Sequence, residues 1–220
     1  MEVLSIRGNG CAKIEPNIIV IDLKIEKTFK LYSDVIEAFC GDTNRLIESL
    51  LCVGIERKQI KTKDFGIIGD YRSFKDEFGE RKKVLNGYRY NHDLEIKIEK
   101  DNVLLSKILN VLEKSEIHAY IGVKFGFDNL ELLENAALEN AINNAKNKAE
   151  LIAKSMKVKL GSVTDINYKT INSRLSGDHY RCETITDYCG LENVDIDVDD
   201  LIVEDDIEII WKIEEDDIKC

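Results

Sequence analysis

The sequence predicts an α+β fold in which a mainly antiparallel sheet is packed with helices. Two observations carry this prediction: strand-like segments come in adjacent pairs, and amphipathic helical segments separate those pairs. A third is a long β-hairpin over residues 60–100, which we expect to project beyond the sheet. The predicted order of elements is β-β-α-β-β-α-β-α-β-β. With 220 residues, of which 44% are hydrophobic, the chain is long enough to bury its core as a single domain over residues 1–220.

The first pair of strands opens the chain. We expect a short strand, a turn from Gly8 to Gly10, and a longer strand from about Asn17 to Glu26. Pro16 marks the start of the longer strand, a position at which a strand tolerates proline. The apolar side chains of the longer strand share one face and are Ile19, Ile21, Leu23 and Ile25.

An amphipathic helix over residues 33–53 follows. Its apolar residues recur three, four and seven positions apart, with Ser33 as a candidate N-cap and Gly54 as the C-terminal stop. The basic run ERKQIKTK, residues 56–63, comes next. Because it lacks interleaved aromatic residues, it favours a solvated loop over a phosphate-binding surface.

Two long strands then form the predicted hairpin. The first runs from Ile60 to about Phe74, and the polar, glycine-containing stretch KDEFGERKK leads into the second. The second strand contains GYRYNHDLEIKIEKD, residues 87–101, whose side chains alternate between an apolar and a polar face. This alternation predicts a half-buried strand.

The remaining elements are two helices and three strands. A helix opened by Asp101 or Asn102 leads into the short strand AYIGVKFGF, and a long helix covers residues 128–156. An alanine stripe on the long helix permits close approach to its packing partner. The last two strands are KVKLGSVTDINYK and LIVEDDIEIIWKIEE, separated by an irregular polar segment over residues 170–200.

Composition bears on partners and compartment. The chain has 42 acidic and 31 basic residues and a net charge of −11, which argues against a nucleic-acid partner. No segment approaches the run of about 18 apolar residues that a membrane-spanning helix needs. The start MEVLSIRGNG lacks the basic and apolar regions of a secretory signal, and the six cysteines form no CxxC pair. These features predict a reduced, cytoplasmic protein.

His92 is the first candidate for a catalytic residue, because Asp93 follows it directly. Neighbours in a strand point to opposite faces, so Asp93 does not orient His92. His92 also falls on the apolar side of its strand, and no motif ties a serine or cysteine nucleophile to it. We therefore expect His92 to be a structural or interface histidine.

Several other patterns lack a required part. Gly8 and Gly10 follow a strand, but a dinucleotide-binding motif needs a third glycine and a helix after it. His118 has no neighbouring ligand, and Cys11 is a redox-sensitive thiol only if it is exposed. One histidine and three cysteines near the C-terminus are possible zinc ligands, but their spacing is not that of a structural zinc site. They are His179, Cys182, Cys189 and Cys220. We assign no catalytic, cofactor or metal residue and expect no enzymatic activity.

The acidic segment 192–206 keeps one alternative open. Asp195, Asp197 and Asp199 alternate like the start of a calcium loop, but Asp200 stands where that loop needs glycine and Asp206 where it needs glutamate. The interleaved apolar residues instead predict an edge strand. A small-molecule or divalent-metal-binding module built on this segment is the alternative function.

Four stretches together resemble the SIMPL-domain family in their sequence motifs and in the order of those motifs along the chain. They are IRGNGCAKIEPNIIVIDLKIE, VGIERKQIKTKDFGI, GYRYNHDLEIKIEKD and ALENAINNAKNKAELIAKSMKVKLGSVTDI. The resemblance extends over nearly the whole chain and implies an α+β fold with a long hairpin. It also implies ring-shaped or channel-like homo-oligomers, as in members from bacterial envelopes, and a link to defence against oxidative stress. It carries over no enzymatic activity, cofactor or catalytic residue.

The leading functional hypothesis is a non-enzymatic protein that self-assembles through the hairpin at 60–100. Two strands that extend beyond the sheet leave edges that need a partner, and an identical subunit is the most available one. The hairpin is rich in aromatic residues, which are enriched in interfaces, although they could instead pack on a helix of the same chain. These residues are Tyr71, Phe74, Phe78, Tyr88 and Tyr90.

Overall fold

A computed structural model describes residues 2–75, 77–115, 117–168 and 198–215. Over these residues the chain has seven strands and three α-helices in the predicted order, which confirms the α+β fold. The strands form two antiparallel sheets rather than one, in the orders β1-β7-β6 and β3-β4-β2-β5. The bounds are β1 Val3–Ile14, β2 Ile18–Phe29, α1 Tyr32–Cys52, β3 Ile60–Lys75, β4 Arg81–Glu99, α2 Asn102–Lys114, β5 Ala119–Gly126, α3 Leu130–Met156, β6 Val158–Asn167 and β7 Leu201–Glu215.

The chain divides into two compact units. The described residues of unit 1 lie in 2–16, 127–168 and 199–215, and unit 2 includes the described part of 17–126. The single domain over 1–220 stays a prediction. Of the segment 170–200, only residues 198–200 are described, and they lie outside any strand.

Unit 1 is a three-stranded sheet with α3 packed on one face. Alternate residues of β1 and β7 face the helix, and the buried stripe that receives them consists largely of alanines. The stripe comprises Leu133, Ala137, Ala141, Ala145, Ala149 and Ala153. β7, the predicted final strand, is the central strand of this sheet. Val194 and Ile196, from which an edge strand was predicted, lie outside the described residues.

Gly8 and Gly10 lie inside β1, which runs without a break from Val3 to Ile14, so the predicted turn is wrong. Both glycines allow the backbone of β1 to lie close to the backbone of α3. A Cβ atom on Gly8 would overlap the backbone oxygen of Ala141, and one on Gly10 would overlap the backbone oxygen of Ala137. Glycine on the strand and alanine on the helix therefore bring the two backbones together.

The outer edge of β1 is closed by polar side chains of α3. Asn140 Nδ2 donates to the Cys11 oxygen at 2.9 Å, and the Asn9 amide donates to Asn144 Oδ1 at 3.2 Å. Lys148 Nζ donates to the backbone oxygen of Arg7, also in β1, at 3.2 Å. Four residues of helix and two of strand advance by similar lengths, about 6 to 7 Å, so each helical turn meets the next outward-facing residue. The edge is thereby shielded from pairing with another strand.

Unit 2 buries its core between α1, α2 and one face of the four-stranded sheet. β2 and β4 are the central strands and pair from Ile18 with Glu99 to Phe29 with Tyr88. Asp101 is the N-cap of α2, accepting from Val103 N at 2.8 Å and Leu104 N at 3.0 Å. The largest fully buried aliphatic side chains are Ile19, Ile21, Leu23, Ile25, Leu46, Leu50, Ile55, Ile96, Ile98, Leu105 and Ile108.

Helix α1 matches its predicted range to within one residue at each end, but its N-cap is not the predicted residue. Leu31, not Ser33, occupies the N-cap, and the Ser33 hydroxyl donates to Asp34 within the first turn. Gly54 follows the helix with φ of +96°, as expected for the stop. None of the described helices combines the length and apolarity of a membrane-spanning segment.

Two glycine substitutions test the close approach in unit 1. Gly10→Ala forces a methyl group into the backbone of α3 and should destabilise the protein by about 1–3 kcal/mol. Gly41→Ala is the control, because Gly41 lies exposed inside α1 with open space around it, and alanine there should stabilise by about 0.5–1 kcal/mol. Denaturant unfolding measures both values. If Gly10→Ala unfolds at the wild-type midpoint, the packing described for β1 and α3 is wrong.

Candidate functional site

The hairpin of β3 and β4 has a base inside the sheet and a tip outside it. β4 pairs with β2 only from Tyr88 onward, so residues 70–75 and 77–87 belong to strands that pair with each other alone or to the turn between them. We call these residues the hairpin tip. The predicted long hairpin is therefore present, and its outer part has no third strand among the described residues.

Apolar side chains are exposed on both faces of the hairpin tip. Phe78 is 90% exposed and Tyr71 is 60% exposed. Tyr71 faces Leu85 across the strands, whereas Val84 faces Arg72 on the opposite side of the ribbon. The exposed apolar residues of the tip are Tyr71, Phe74, Phe78, Val84 and Leu85. Because they lie in one short ribbon, they form a concentrated apolar surface.

Two of the five aromatic residues predicted for an interface lie elsewhere. Tyr88 packs edge-on against Tyr32 of α1 at 5.5 Å between ring centres, and Tyr90 is buried against Phe39 of the same helix. Both belong to the hairpin base. The alternative reading, packing on a helix of the same chain, is therefore right for these two residues.

A bulge and a glycine mark the junction between base and tip. Asp70 pairs with Gly87 and Tyr71 with Leu85, so Asn86 is the extra residue, and its amide donates to Asp70 Oδ2 at 2.9 Å. A Cβ atom on Gly87 would overlap the backbone oxygen of Phe29. The bulge changes the direction of the ribbon where β2 ends.

A buried carboxylate, Asp42 of α1, fastens the helix to the hairpin base. It is 1% exposed, and its Oδ2 accepts from the Tyr90 hydroxyl and from Lys27 Nζ, both at 2.6 Å. Arg45 donates to Oδ1 at 2.7 Å. Lys27 of β2 and Tyr90 of β4 are cross-strand partners, so one carboxylate binds α1 to both central strands.

These contacts determine the ionisation of the pair. Burial alone would raise the pKa of the Asp42 carboxyl, but hydrogen bonds from Lys27, Tyr90 and Arg45, with the charge of Lys27, hold it below its usual range. Burial and the hydrogen bond to Asp42 raise the pKa of Tyr90 well above that of an ordinary tyrosine. The carboxylate is thus ionised and the phenol is a fixed donor, which suits a structural anchor rather than proton transfer.

Asp42 is not among the residues predicted to matter, although the sequence contains a signal for it. The buried stripe of α1 passes through Val35, Phe39, Leu46 and Leu50, and Asp42 occupies the position in the middle of that spacing. An acidic residue on an apolar stripe needs a buried partner. Arg45, three residues later on the same helix, is the one partner of Asp42 that the sequence spacing indicates.

His92 lies beside this network as a buried, hydrogen-bonded histidine. It is 2% exposed, with Nδ1 3.4 Å from Thr43 Oγ1 and Nε2 3.2 Å from Thr62 Oγ1. The rings of Phe39 and Phe65 contact it at centre distances of 5.1 and 6.0 Å. Burial lowers the pKa of His92, partly offset by the charge of Asp93. A neutral histidine held by two threonines matches the structural role expected for it.

The other candidate residues stay apart. Cys11, Cys40 and Cys52 are free and exposed, and His118 is exposed. Within the described residues, no group of three or more His, Cys, Asp or Glu side chains is placed to hold a metal ion. Residues 192–197 of the acidic segment lie outside the described part, and so do His179, Cys182, Cys189 and Cys220. The metal-binding and redox hypotheses therefore stay predictions.

The comparison with protein families bears on residues 4–183. They match the SIMPL family model, described as a protein of unknown function (DUF541). The chain belongs to the SIMPL family. The matched range begins at Leu4 in β1 and extends beyond β6, so it contains the whole hairpin and the Asp42 network of this SIMPL protein.

Two relatives share the name 26 kDa periplasmic immunogenic protein, one from Brucella melitensis and one from Brucella abortus. Each is 22% identical over 170 residues, which cover 74% of this chain and 65% of the relative. The SIMPL chain thus spans less than two thirds of the length of these relatives. The prediction of a cytoplasmic location is wrong, because these relatives are periplasmic proteins by name and the first ten residues did not decide the compartment.

Tyr90→Phe tests the anchor at Asp42. It removes one hydrogen bond to a buried charge and should cost about 1.5–3 kcal/mol of unfolding free energy. Arg45→Ala is the control within the same network, since the Arg45 side chain is 60% exposed and should contribute at most about 1 kcal/mol. Equal losses in chemical denaturation would show that burial does not distinguish the two partners.

The lowered pKa of His92 predicts a pH-dependent stability. Above the ordinary pKa of about 6.5, His92 is neutral in both folded and unfolded chains, and its contribution is complete. Below a pH of about 6.5 the unfolded chain binds the proton before the folded chain does, so this stability is lost as the pH falls towards and through the lower folded pKa. His92→Gln should therefore lose less stability than wild type between pH 7.5 and 5, measured by thermal unfolding. His118→Gln, which changes an exposed histidine, is the control substitution. A His92→Gln curve parallel to that of the wild type would contradict the burial argument.

Proposed function

We propose that this protein is a non-enzymatic, self-assembling protein whose hairpin tip docks onto a second copy of the same chain. One observation carries the proposal. The tip is a ribbon of two strands that exposes apolar side chains on both faces and has no third strand beside it among the described residues.

The energetics of the tip favour a protein partner. A two-stranded ribbon alone is at best marginally stable in water, because it buries little apolar surface. Phe78, Tyr71 and Phe74 are large side chains of the kind enriched in the buried centre of interfaces. Burying them against a second copy would supply the contact that the ribbon lacks.

The charge of the tip supports a second copy as the partner. Residues 70–87, which span the tip, carry five basic and four acidic side chains, a net charge of +1, whereas the whole chain has a net charge of −11. A basic tip is attracted to the acidic remainder of another copy, which favours encounter between identical chains. The basic residues are Arg72, Lys75, Arg81, Lys82 and Lys83.

The periplasmic relatives support a place of action outside the cytoplasm. Assembly through a surface is compatible with that location because it needs no cofactor or nucleotide. A link to stress response, implied by the family resemblance, stays a prediction.

A tip variant tests the self-assembly. Val84→Asp/Leu85→Asp places a charge on each face of the ribbon and should reduce the mass of the assembly, measured by size-exclusion chromatography with light scattering over a concentration series. The charges oppose apolar burial at any contact with a second copy.

The matched control is Val103→Asp/Leu132→Asp, which changes the same residue types at exposed helical positions. It should keep the wild-type mass. A monomeric wild-type protein at every concentration, or equal masses for the tip and control variants, would overturn the proposal.

A further inference from the structure

One edge of the sheet of unit 2 is formed by β3. Residues 64–69 of this strand pair with β4 without a bulge, from Asp64 with Asp93 to Gly69 with Tyr88. Among the described residues β3 pairs with no other strand, so the backbone N–H and C=O groups on its outer side have no strand partner there. We call residues 64–69 the β3 edge.

The sequence of the β3 edge does not protect it from further pairing. Edge strands are normally guarded by charged side chains, by proline or by an overlying element. Residues 65–69 are FGIIG, which contain neither a charge nor a proline. A Cβ atom on Gly66 would meet no other atom within 4 Å, so a neighbouring chain has room there. The β3 edge is therefore suited to accept an added strand.

Helix α1 runs beside the β3 edge. Phe39 of α1 contacts Phe65 of β3 at 4.2 Å between ring centres. Lower on the same elements, Thr43 of α1 and Thr62 of β3 both contact the ring of His92. The side of α1 that continues outward from Phe39 and Thr43 thus lies above the β3 edge.

That side of α1 exposes apolar side chains. Its members lie four, seven and four positions apart, which places them in one row along the helix. Ile36 is 39% exposed and Leu51 is 45% exposed, although the opposite stripe of α1 is buried. We call the row the α1 wall, and it consists of Ile36, Cys40, Ile47 and Leu51.

The two edge strands of this sheet differ in how far they are covered. In β5, the apolar side chains of Ile121 and Val123 are buried in the core of unit 2. In β3, Phe65 remains 42% exposed and Ile68 45% exposed. A further strand beside β3 would cover Phe65 and the α1 wall, whereas β5 needs no such cover.

The charge at the start of β3 indicates the chemistry of the partner. Residues 56–64 carry four basic and two acidic side chains, in a chain whose net charge is −11. Lys58 and Lys63 are neutralised by ion pairs at 2.6 and 2.8 Å. Arg57 and Lys61 are exposed and form no ion pair with any described residue. This end of the strand therefore attracts an acidic segment.

We infer that the β3 edge captures an extended, acidic segment of another protein as an added strand. Main-chain hydrogen bonds to β3 supply affinity, and alternate apolar side chains of the segment pack against Phe65 and the α1 wall. Acidic side chains of the segment lie beside Arg57 and Lys61. This site is separate from the proposed self-assembly, because its residues belong to the hairpin base and to α1 rather than to the tip.

A synthetic peptide tests the added strand. The probe is a fluorescent peptide with alternating valine and threonine in its centre and two glutamates at each end, and fluorescence anisotropy with the full chain measures its binding. Wild-type protein should bind it. A peptide of the same composition in scrambled order should bind at least about tenfold more weakly, because its apolar side chains no longer alternate. The same loss is expected when the central amides are N-methylated, since an added strand then has no donors.

Variants of the α1 wall locate the peptide on the protein. Ile36→Gln/Leu51→Gln removes apolar contact and should weaken binding of the alternating peptide about tenfold or more. The matched control is Ile142→Gln/Leu151→Gln, which changes the same residue types at exposed positions of α3. It should bind as the wild type does, and circular dichroism verifies that both variants are folded.

Charge reversal tests the acidic end. Arg57→Glu/Lys61→Glu should weaken binding about tenfold, and a peptide with lysines in place of the glutamates should restore it. Lys146→Glu/Lys154→Glu, on the exposed side of α3, is the control and should leave the preference for glutamates unchanged.

The outcomes decide between an added strand and its alternatives. A protein that does not bind the alternating peptide, or that binds the N-methylated peptide equally well, overturns the inference. So do equal affinities of the α1 wall variant and its control. If the peptide dissociates the wild-type assembly in light scattering, the edge is held by a second copy and a separate partner is overturned. Val84→Asp/Leu85→Asp should keep the wild-type peptide affinity, so docking by the tip and capture by the edge are judged independently.

Discussion

The buried carboxylate of Asp42 is the interaction on which the architecture of unit 2 depends. It is removed from water, and it is ionised because Tyr90, Lys27 and Arg45 donate to it. Such a charge needs its partners on the two strands, Tyr90 and Lys27, so it fixes α1 over β2 and β4 in one register. Tyr90 lies three residues beyond Gly87, where the hairpin leaves the sheet. The anchor therefore holds the base from which the tip projects.

The two faces of the sheet follow from this arrangement. One face receives α1 and α2 and is apolar, with His92 held neutral between two threonines. The other face keeps the charged residues of the same strands, and the tip beyond β2 pairs with no third strand in the described structure. Surface that a monomer leaves incomplete is what an assembly can complete, and the proposed contact of the hairpin tip uses such surface.

The sequence predicted the elements well because their signals are local. Period-two alternation found β4, and the three-four spacing found α1 within one residue of each end. The turn at Gly8 to Gly10 was wrong because glycine signals either a bend or a close approach, and only the position of α3 decides between them. The alternation of apolar and polar residues placed His92 on the buried face. It could not show that Thr43 and Thr62 are hydrogen-bond partners of His92, because they come from other elements. The partners of Asp42 needed the register of several strands, and the cytoplasmic prediction was overturned only by the names of the relatives.

Amide hydrogen exchange of the hairpin tip at several protein concentrations tests the central claim most directly. A tip completed by a second copy should exchange fast in dilute monomer and slowly once the protein assembles. The amides of β2 and the base of β4 should be protected at every concentration, because their pairing lies within one chain. Fast exchange of residues 70–75 and 77–87 at all concentrations, with an unchanged core, would contradict the account.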